Sequence, residues 1–482
     1  MSRLSGRKRV LRDRTLRAQE VYEHIVCDGS AHRDAACGTL ISETQCKRLE
    51  KRRLLGRVTS NGTVAAAVMV LAAIAAVVCA NTDAYEAVHT FLTDPNAFIV
   101  LGGFTVEMSF EMFVNDFLMA VFFLLVGVEL KYEMTVGELR HPRNVLLPML
   151  AAAGGVAVPA LVYVVANRAG ELGGWAVPMA TDIAFALGVL SLLGKRVPAG
   201  VKVFFTTLAI ADDLLASAVI ALFYSEGIDI AWFAAAAAAT LALAALNRRQ
   251  VFSLMPYAVV GFALWCCLFE SGVHATLAGV IVALAIPARS DIRADHLVDW
   301  MRSRLPDLAD KYDDEAHILG QHDFTHAVAG VERVLHRVMP PLQRVEHYVS
   351  VPVNFVILPI FAFVNAQVRL VDVDMAVLLA DPVVVGTYLG MVAGKPLGIV
   401  GVSYACVRAG LARLPRGVGM RHIVGVGLLG GIGFTMSILI SGLAFSGDPA
   451  NLLAAKAAIL AATVTSAALG MAWMHRACAR RP

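Results

Sequence analysis

Apolar residues run in blocks of about twenty from about residue 61 to residue 474, parted by short stretches rich in charge, Gly or Pro. A hydrocarbon core about 30 Å thick asks for helices of about that length, so the pattern predicts an all-α membrane protein. Twelve spans are expected, beginning near residues 61, 108, 144, 175, 199, 231, 254, 272, 348, 384, 422 and 452, with the seventh and eighth short.

Composition agrees: the 482 residues are 58% hydrophobic and 16% charged, against about 45–50% and about 25% in a soluble domain. Charge then orients the spans, because loops on the cytoplasmic side are enriched in Lys and Arg. Exits of the even-numbered spans are basic, as with Lys195 and Arg196, Arg248 and Arg249, or Arg408 to Arg421. Odd exits are acidic, as with Asp83, Glu86 and Asp94, or Asp372, Asp374 and Asp381, although Arg168 and Arg369 also lie there. Both termini are therefore expected in the cytoplasm. Residues 1–57 hold fourteen Lys/Arg against seven Asp/Glu and no signal-peptide core, which reads as a basic cytoplasmic arm without order. A transmembrane domain over 58–477 and a tail over 478–482 complete the division.

Two insertions interrupt the domain. Residues 95–109 flank Gly102-Gly103 with β-prone runs, the pattern of a hairpin, here on the periplasmic side. Residues 288–344 are polar, carry His296, His317, His322, His326 and His336, and read as a solvated cytoplasmic linker rather than a metal site. The eight cysteines, Cys27, Cys37, Cys46, Cys79, Cys266, Cys267, Cys406 and Cys478, show no paired spacing and are expected as free thiols.

Ionisable residues inside the spans carry the functional signal. Placing one at mid-bilayer costs about 2.5–3.5 kcal/mol on insertion scales. Asp212 in TLAIADDLL lies about 15 Å from the Lys202 end of its span at about 1.5 Å per residue. Asp213, Asp182 in PMATDIAFALG and Lys395 in VAGKPLGIV are similarly deep, and Asp116 lies nearer one face. A salt bridge between Lys395 and one aspartate is a purely structural alternative, yet several carboxylates against one lysine leave excess negative charge. Such an excess must take up protons or cations. Adjacent helical positions point about 100° apart, so one aspartate of the pair can face a wet site while the other meets a protein partner.

Two spans look broken. Gly173-Gly174 and Pro178 precede Thr181-Asp182 in the fourth, and GLLGGIGFTMS (427–437) interrupts the eleventh. Unpaired backbone is tolerated at that depth only where it lines a cavity, and it leaves half-helix ends with partial charge. Asp182 could offset the positive N-terminal ends and Lys395 the negative C-terminal ends. Spans three to five and ten to twelve then correspond as inverted repeats, a pointer to a transporter site.

At these residues the chain resembles the NhaA family of sodium/proton antiporters, itself a known case of inverted repeats with broken helices, so the two readings are not independent. The resemblance runs from about residue 58 to 475 and rests on NDFLMAVFFLLVGVELKYE, GGWAVPMATDIAFALGVLSLLG, LAIADDLLASAVIALFY, SGVHATLAGVIV, ILPIFAFVNA, GKPLGI and GGIGFTMSILISGLAF. It implies that Asp213 is the principal cation-binding carboxylate, and that Asp212 is its neighbour, paired with Lys395. Together the two would hold Na+. It implies a crossing of broken helices at Thr181, Asp182 and Thr435, and an accessory carboxylate at Asp116. Glu129, Lys131, Glu133, Glu346 and His347 match a cytoplasmic charge cluster linked to pH regulation, and His274 matches a histidine implicated in pH response. Tyr132 and Ser350 depart from the family, where an arginine and a second histidine are typical. Also implied are a homodimer through the Gly102-Gly103 hairpin, a bacterial inner-membrane location in the lipid bilayer, and no cofactor beyond the transported Na+ or Li+ and H+. The activity implied is electrogenic, pH-regulated export of sodium against protons by alternating access.

Two other classes use membrane aspartates. An intramembrane aspartyl protease needs two, normally in YD and GxGD contexts, whereas TD and ADD stand here, and a lysine beside an acid pair would spoil their shared proton. A proton-coupled carrier of another small solute would line the broken helices with aromatic or polar side chains, where small Gly, Ala, Thr and Met dominate. Neither reading calls for nucleic acid, and only the protease would be an enzyme.

Overall fold

The computed structural model describes residues 62–479, except 95, 102–103, 138–141, 169, 225–226, 228, 291–293, 314–315, 372–373 and 416. The expectations for residues 1–57, for Gly102-Gly103 and for Cys27, Cys37 and Cys46 lie outside the described residues. So do those for the last residues of the tail.

The described chain is helical apart from one hairpin. Helix α1 spans Gly62–Ala80 and α2 Tyr85–Thr93, followed by strands β1 (Asn96–Leu101) and β2 (Phe104–Met108). These strands pair antiparallel from Asn96 opposite Met108 to Leu101 opposite Phe104, with a bulge between Ala97 and Ile99. Then come α3 (Phe110–Thr135), α4 (Pro142–Ala166), a 3-10 helix over Leu172–Met179, and α5 (Ile183–Leu192). Helices α6 (Ala199–Phe223), α7 (Ile230–Arg248), α8 (Leu254–Glu270) and α9 (Leu277–Ala285) follow. After α10 (Ala294–Lys311) and α11 (His322–Val338) the chain continues as α12 (Pro341–Asn365) and α13 (Met375–Ala380). It ends with α14 (Pro382–Arg408), α15 (Met420–Gly430), α16 (Phe434–Ala444) and α17 (Pro449–Ala479).

Among the described residues, nine helices are long and apolar enough to cross a membrane, and α15 with α16, bent by 45° at their break, makes up to ten. Helices α8 and α9, where the sequence predicts the two short spans, fall below that length. The ninth expected span starts earlier than its apolar run, at Pro341 rather than near 348. Pro340-Pro341 opens the helix, and buried Leu342 and Val345 give its polar first turns an inward face.

The 288–344 segment is largely helical: it carries α10 and α11, packed against each other. Apolar residues of α11 recur at Phe324, Val328, Val331, Leu335 and Val338, the spacing of one helix face. Gln321 ties the connection, donating to the carbonyls of Asp313 and Ala316 at 2.7 Å each. Among the described residues no three of His, Cys, Asp and Glu gather as a metal-holding group. Cys79, Cys266, Cys267, Cys406 and Cys478 are free thiols.

Three apolar clusters organise the bundle. One joins α1, α3, α12, α16 and α17; a second joins α4, α5, α6, α14 and α15; a third gathers α7, α8 and α9 against α3 and α12. Large side chains such as Leu222, Ile230 and Leu241 remain exposed, as a surface solvated by lipid requires. Helices α4 and α14 touch backbone to backbone at Gly154 and Gly398. A Cβ on Gly398 would meet the Gly154 carbonyl, and one on Gly154 would stand 2.7 Å from the Gly398 oxygen. This approach holds Lys395, one turn before Gly398, inside the bundle.

Candidate ion-binding site

Regular α-helix is interrupted at two places. After the 3-10 helix Leu172–Met179, Ala180 (φ −77°, ψ 150°) and Asp182 (φ −92°, ψ 99°) are extended before α5 starts. Between α15 and α16 the turn passes through Gly431 (φ −70°, ψ −3°) and Gly433 (φ −121°, ψ 17°). The two segments hydrogen-bond: Asp182 N donates to the Ile432 carbonyl at 2.6 Å. Gly433 is required there, because a Cβ on it would stand 2.6 Å from the Ala180 oxygen.

Each half-helix end at the crossing has a partner of the right sign. Asp182 caps α5 through Oδ1, which accepts from Phe185 N at 2.9 Å. Its Oδ2 accepts from Thr435 N at 3.2 Å and from Thr435 Oγ1 at 2.8 Å, at the start of α16. One carboxylate thus serves two helix N-termini, each carrying about half a positive charge. At the C-terminal ends, Thr181 Oγ1 donates to the Gly430 carbonyl of α15 at 3.0 Å, and Lys395 Nζ donates to the Met179 carbonyl of the 3-10 helix.

Lys395 also donates to Asp212 Oδ2 at 2.7 Å, as an ion pair with both side chains buried. Asp213, one position further along α6, turns away from that contact. It is 1% exposed, and neither carboxylate oxygen has a hydrogen-bond partner. A buried carboxylate without partners is expensive to keep charged, so this group is the place where a proton or a hard cation supplies what the protein does not. The charged groups within electrostatic reach of it are Asp212, Asp182, Glu129 and Lys395. The four central side chains, Asp182, Asp212, Asp213 and Lys395, sum formally to −2; the two N-termini at Asp182 offset about one of these charges, leaving the deficit centred on Asp213.

A protein-family model described as Na+/H+ antiporter 1 matches residues 56–474. The chain belongs to the Na+/H+ antiporter 1 family. A relative named Na(+)/H(+) antiporter NhaA from Janthinobacterium sp. (strain Marseille) is 42% identical over 407 residues, 84% of this chain and 89% of that protein. One of the same name from Mesorhizobium japonicum is 44% identical over 408 residues, 84% of this chain and 90% of the relative. A third, from Helicobacter pylori (strain J99), is 40% identical, covering 84% and 91%. These relatives are named as antiporters, transporters rather than enzymes, and support neither the other-solute nor the protease reading.

Within this antiporter fold the remaining candidates fall into separate places. Asp116 lies in a π-helical stretch of α3, Phe113–Leu118. The bonds around it run to α8 and α12: Trp265 Nε1 donates to the Asp116 carbonyl at 3.4 Å, and Asn365 Nδ2 to Asn115 Oδ1 at 2.7 Å. Glu133 on α3 and Glu346 on α12 are each within electrostatic reach of Glu129. Lys131, expected among them as a charge, donates to the carbonyls of Leu284 at 2.6 Å and Ile286. It therefore serves the C-terminal end of α9. His347 is exposed beside Glu346 on α12. His274 lies at the opposite end of α9, where Nε2 meets the Tyr224 carbonyl at 2.9 Å.

One half-buried charge escaped the sequence reading. Lys456 lies inside α17, a membrane-spanning helix, with Glu111 as its electrostatic partner. The signal that singled out Lys395, a lysine several residues into an apolar run, applies equally to AAKAAIL (454–460).

Proposed function

We propose that the chain is an electrogenic Na+/H+ antiporter, also accepting Li+, that exports sodium against protons, with Asp213 as the exchanging carboxylate. The carrying observation is the buried, unpartnered Asp213 carboxylate beside the Asp212–Lys395 pair. Sodium is a hard cation that takes oxygen ligands, and both Asp213 oxygens with the unpartnered Oδ1 of the adjacent Asp212 offer a donor set. A proton satisfies the same group, so the two compete for one place.

Alternating exposure of that place to the two sides makes the exchange obligatory. Periplasmic protons load it, and release of protons to the cytoplasm allows sodium to load for export. Electrogenic turnover requires more than one proton per sodium. The Asp212–Lys395 pair supplies the second protonatable unit, because a sodium ligated by both aspartates takes the counter-charge of Lys395. Thr181, Asp182 and Thr435 hold the crossing in register beside the ion. Glu129, Glu133, Glu346 and His347, with His274 at the other end of α9, are the groups through which pH regulates turnover, and Asp116 is an accessory carboxylate on the way to the site.

The bilayer is that of a bacterial inner membrane, with both termini cytoplasmic by the Lys/Arg distribution, and two copies pair through the β1–β2 hairpin. The spans on either side of the crossing form inverted repeats. In everted vesicles, sodium or lithium should dissipate a respiration-generated ΔpH in a pH-dependent way, and Asp213→Asn should abolish that response. Retention of the response by Asp213→Asn would overturn the site, and a wild-type protein silent to both ions would overturn the function.

A further inference from the structure

A second polar feature lies away from the ion site, where α11 meets the first turns of α12. A groove of about 500 Å³ opens there, with Val331, Leu335 and Met339 on one wall and Arg344, His347 and Tyr348 on the other. Arg344 is 9% exposed. Its Nη2 donates to the Phe252 carbonyl at 2.5 Å, while its Nε is buried without a partner. A guanidinium carries five N–H donors in a planar fork suited to two oxygens of one anion. An apolar trough ending at such a fork matches a ligand with a hydrocarbon chain and an anionic head.

We propose that this groove binds one anionic phospholipid, its phosphate on Arg344 and His347 and an acyl chain along Val331, Leu335 and Met339. The position selects a lipid over other anions, since the same α12 that carries Arg344 continues as a membrane span to Asn365. The groove therefore lies where that span meets headgroups. Exposed Tyr348, Leu335 and Met339 line it without protein cover, and tyrosine favours this interfacial level. Basic pockets beside transmembrane helix ends are recognised headgroup sites. Glu332 also lines the groove but is exposed, where water screens its charge. The helical insertion has a role under this assignment: α11 supplies the wall that makes a lipid contact specific.

The test uses full-length protein, delipidated in detergent and titrated with phosphatidylglycerol or phosphatidylcholine, with bound lipid counted by native mass spectrometry. Wild type should hold one phosphatidylglycerol about tenfold more tightly than phosphatidylcholine, the equivalent of about 1.4 kcal/mol. Arg344→Gln should remove that preference. Leu335→Glu, on exposed α11 and free of the Phe252 contact, should do so as well and carries the test if Arg344→Gln fails to fold. Equal binding of both lipids by wild type, or an unchanged preference in Leu335→Glu, would overturn the proposal. Displacement of phosphatidylglycerol by millimolar inorganic phosphate would also do so, marking a site for free anions.

Discussion

Removing Lys395 alone should destabilise the protein more than removing its ion pair whole. Asp212 is 1% exposed and Lys395 is fully buried, at 2.7 Å. Lys395→Met therefore leaves a buried carboxylate without its counter-charge, a loss of about 3–5 kcal/mol for a buried pair. The Met179 carbonyl loses its donor in the same substitution, about 1–3 kcal/mol for an unsatisfied buried group. In Lys395→Met with Asp212→Leu the carboxylate is gone and only the Met179 oxygen stays unpaired. The double variant should then lie about 1–3 kcal/mol below wild type, more stable than Lys395→Met. Denaturant titration in mixed micelles, run as a double-mutant cycle, reads the difference as a coupling energy. Additive losses, with the double variant weaker than either single one, would refute the account of a closed pair. Neither variant should exchange sodium for protons, so stability and transport separate in one set of proteins.

Two further outcomes follow from the backbone. Gly398→Val drives a side chain into the Gly154 carbonyl where α4 meets α14. It should cost more than the 1–3 kcal/mol usual for overpacking, because backbone cannot move aside, and should show as loss of monodisperse protein on gel filtration; a normal yield would contradict the close contact. Thr435→Val removes the hydroxyl that donates to Asp182 and should lower stability by about 1–3 kcal/mol, whereas Thr435→Ser should retain it, with denaturation midpoints telling the two apart.

The separation of Asp212 from Asp213 could be read in advance, because it follows from helix geometry alone. The glycines of 427–437 likewise marked the place where α15 and α16 meet at a bend of 45°. What each charge touches could not be read from spacing; the Asp212–Lys395 pair and the meeting of Asp182 with Thr435 were implied by the family resemblance alone. Asp182 meets Thr435, 253 positions away, and Lys131 meets Leu284, 153 positions away; no local spacing encodes which helix ends converge. Lys131 looked like one charge among acids because its neighbours in sequence are Glu129 and Glu133, yet three-dimensional packing gives it the carbonyls of α9. The 288–344 segment shows a different limit. Its polar composition hid a helical period that was present at Phe324, Val328, Val331, Leu335 and Val338.

Because one carboxylate fastens the N-termini of both α5 and α16, the crossing has the properties of a riveted joint. Neither half-helix can turn or slide alone without pulling N–H donors off Asp182, and the Asp182–Ile432 backbone bond locks the same pair from the other side. Displacement that changes access to Asp213 therefore has to carry the two interrupted spans together, as a single rigid insert. Under the proposed exchange, slip falls to the insert's outer contacts, such as α1 against α5, and substitutions along that plane, remote from any ion, are expected to change how fast the cycle runs.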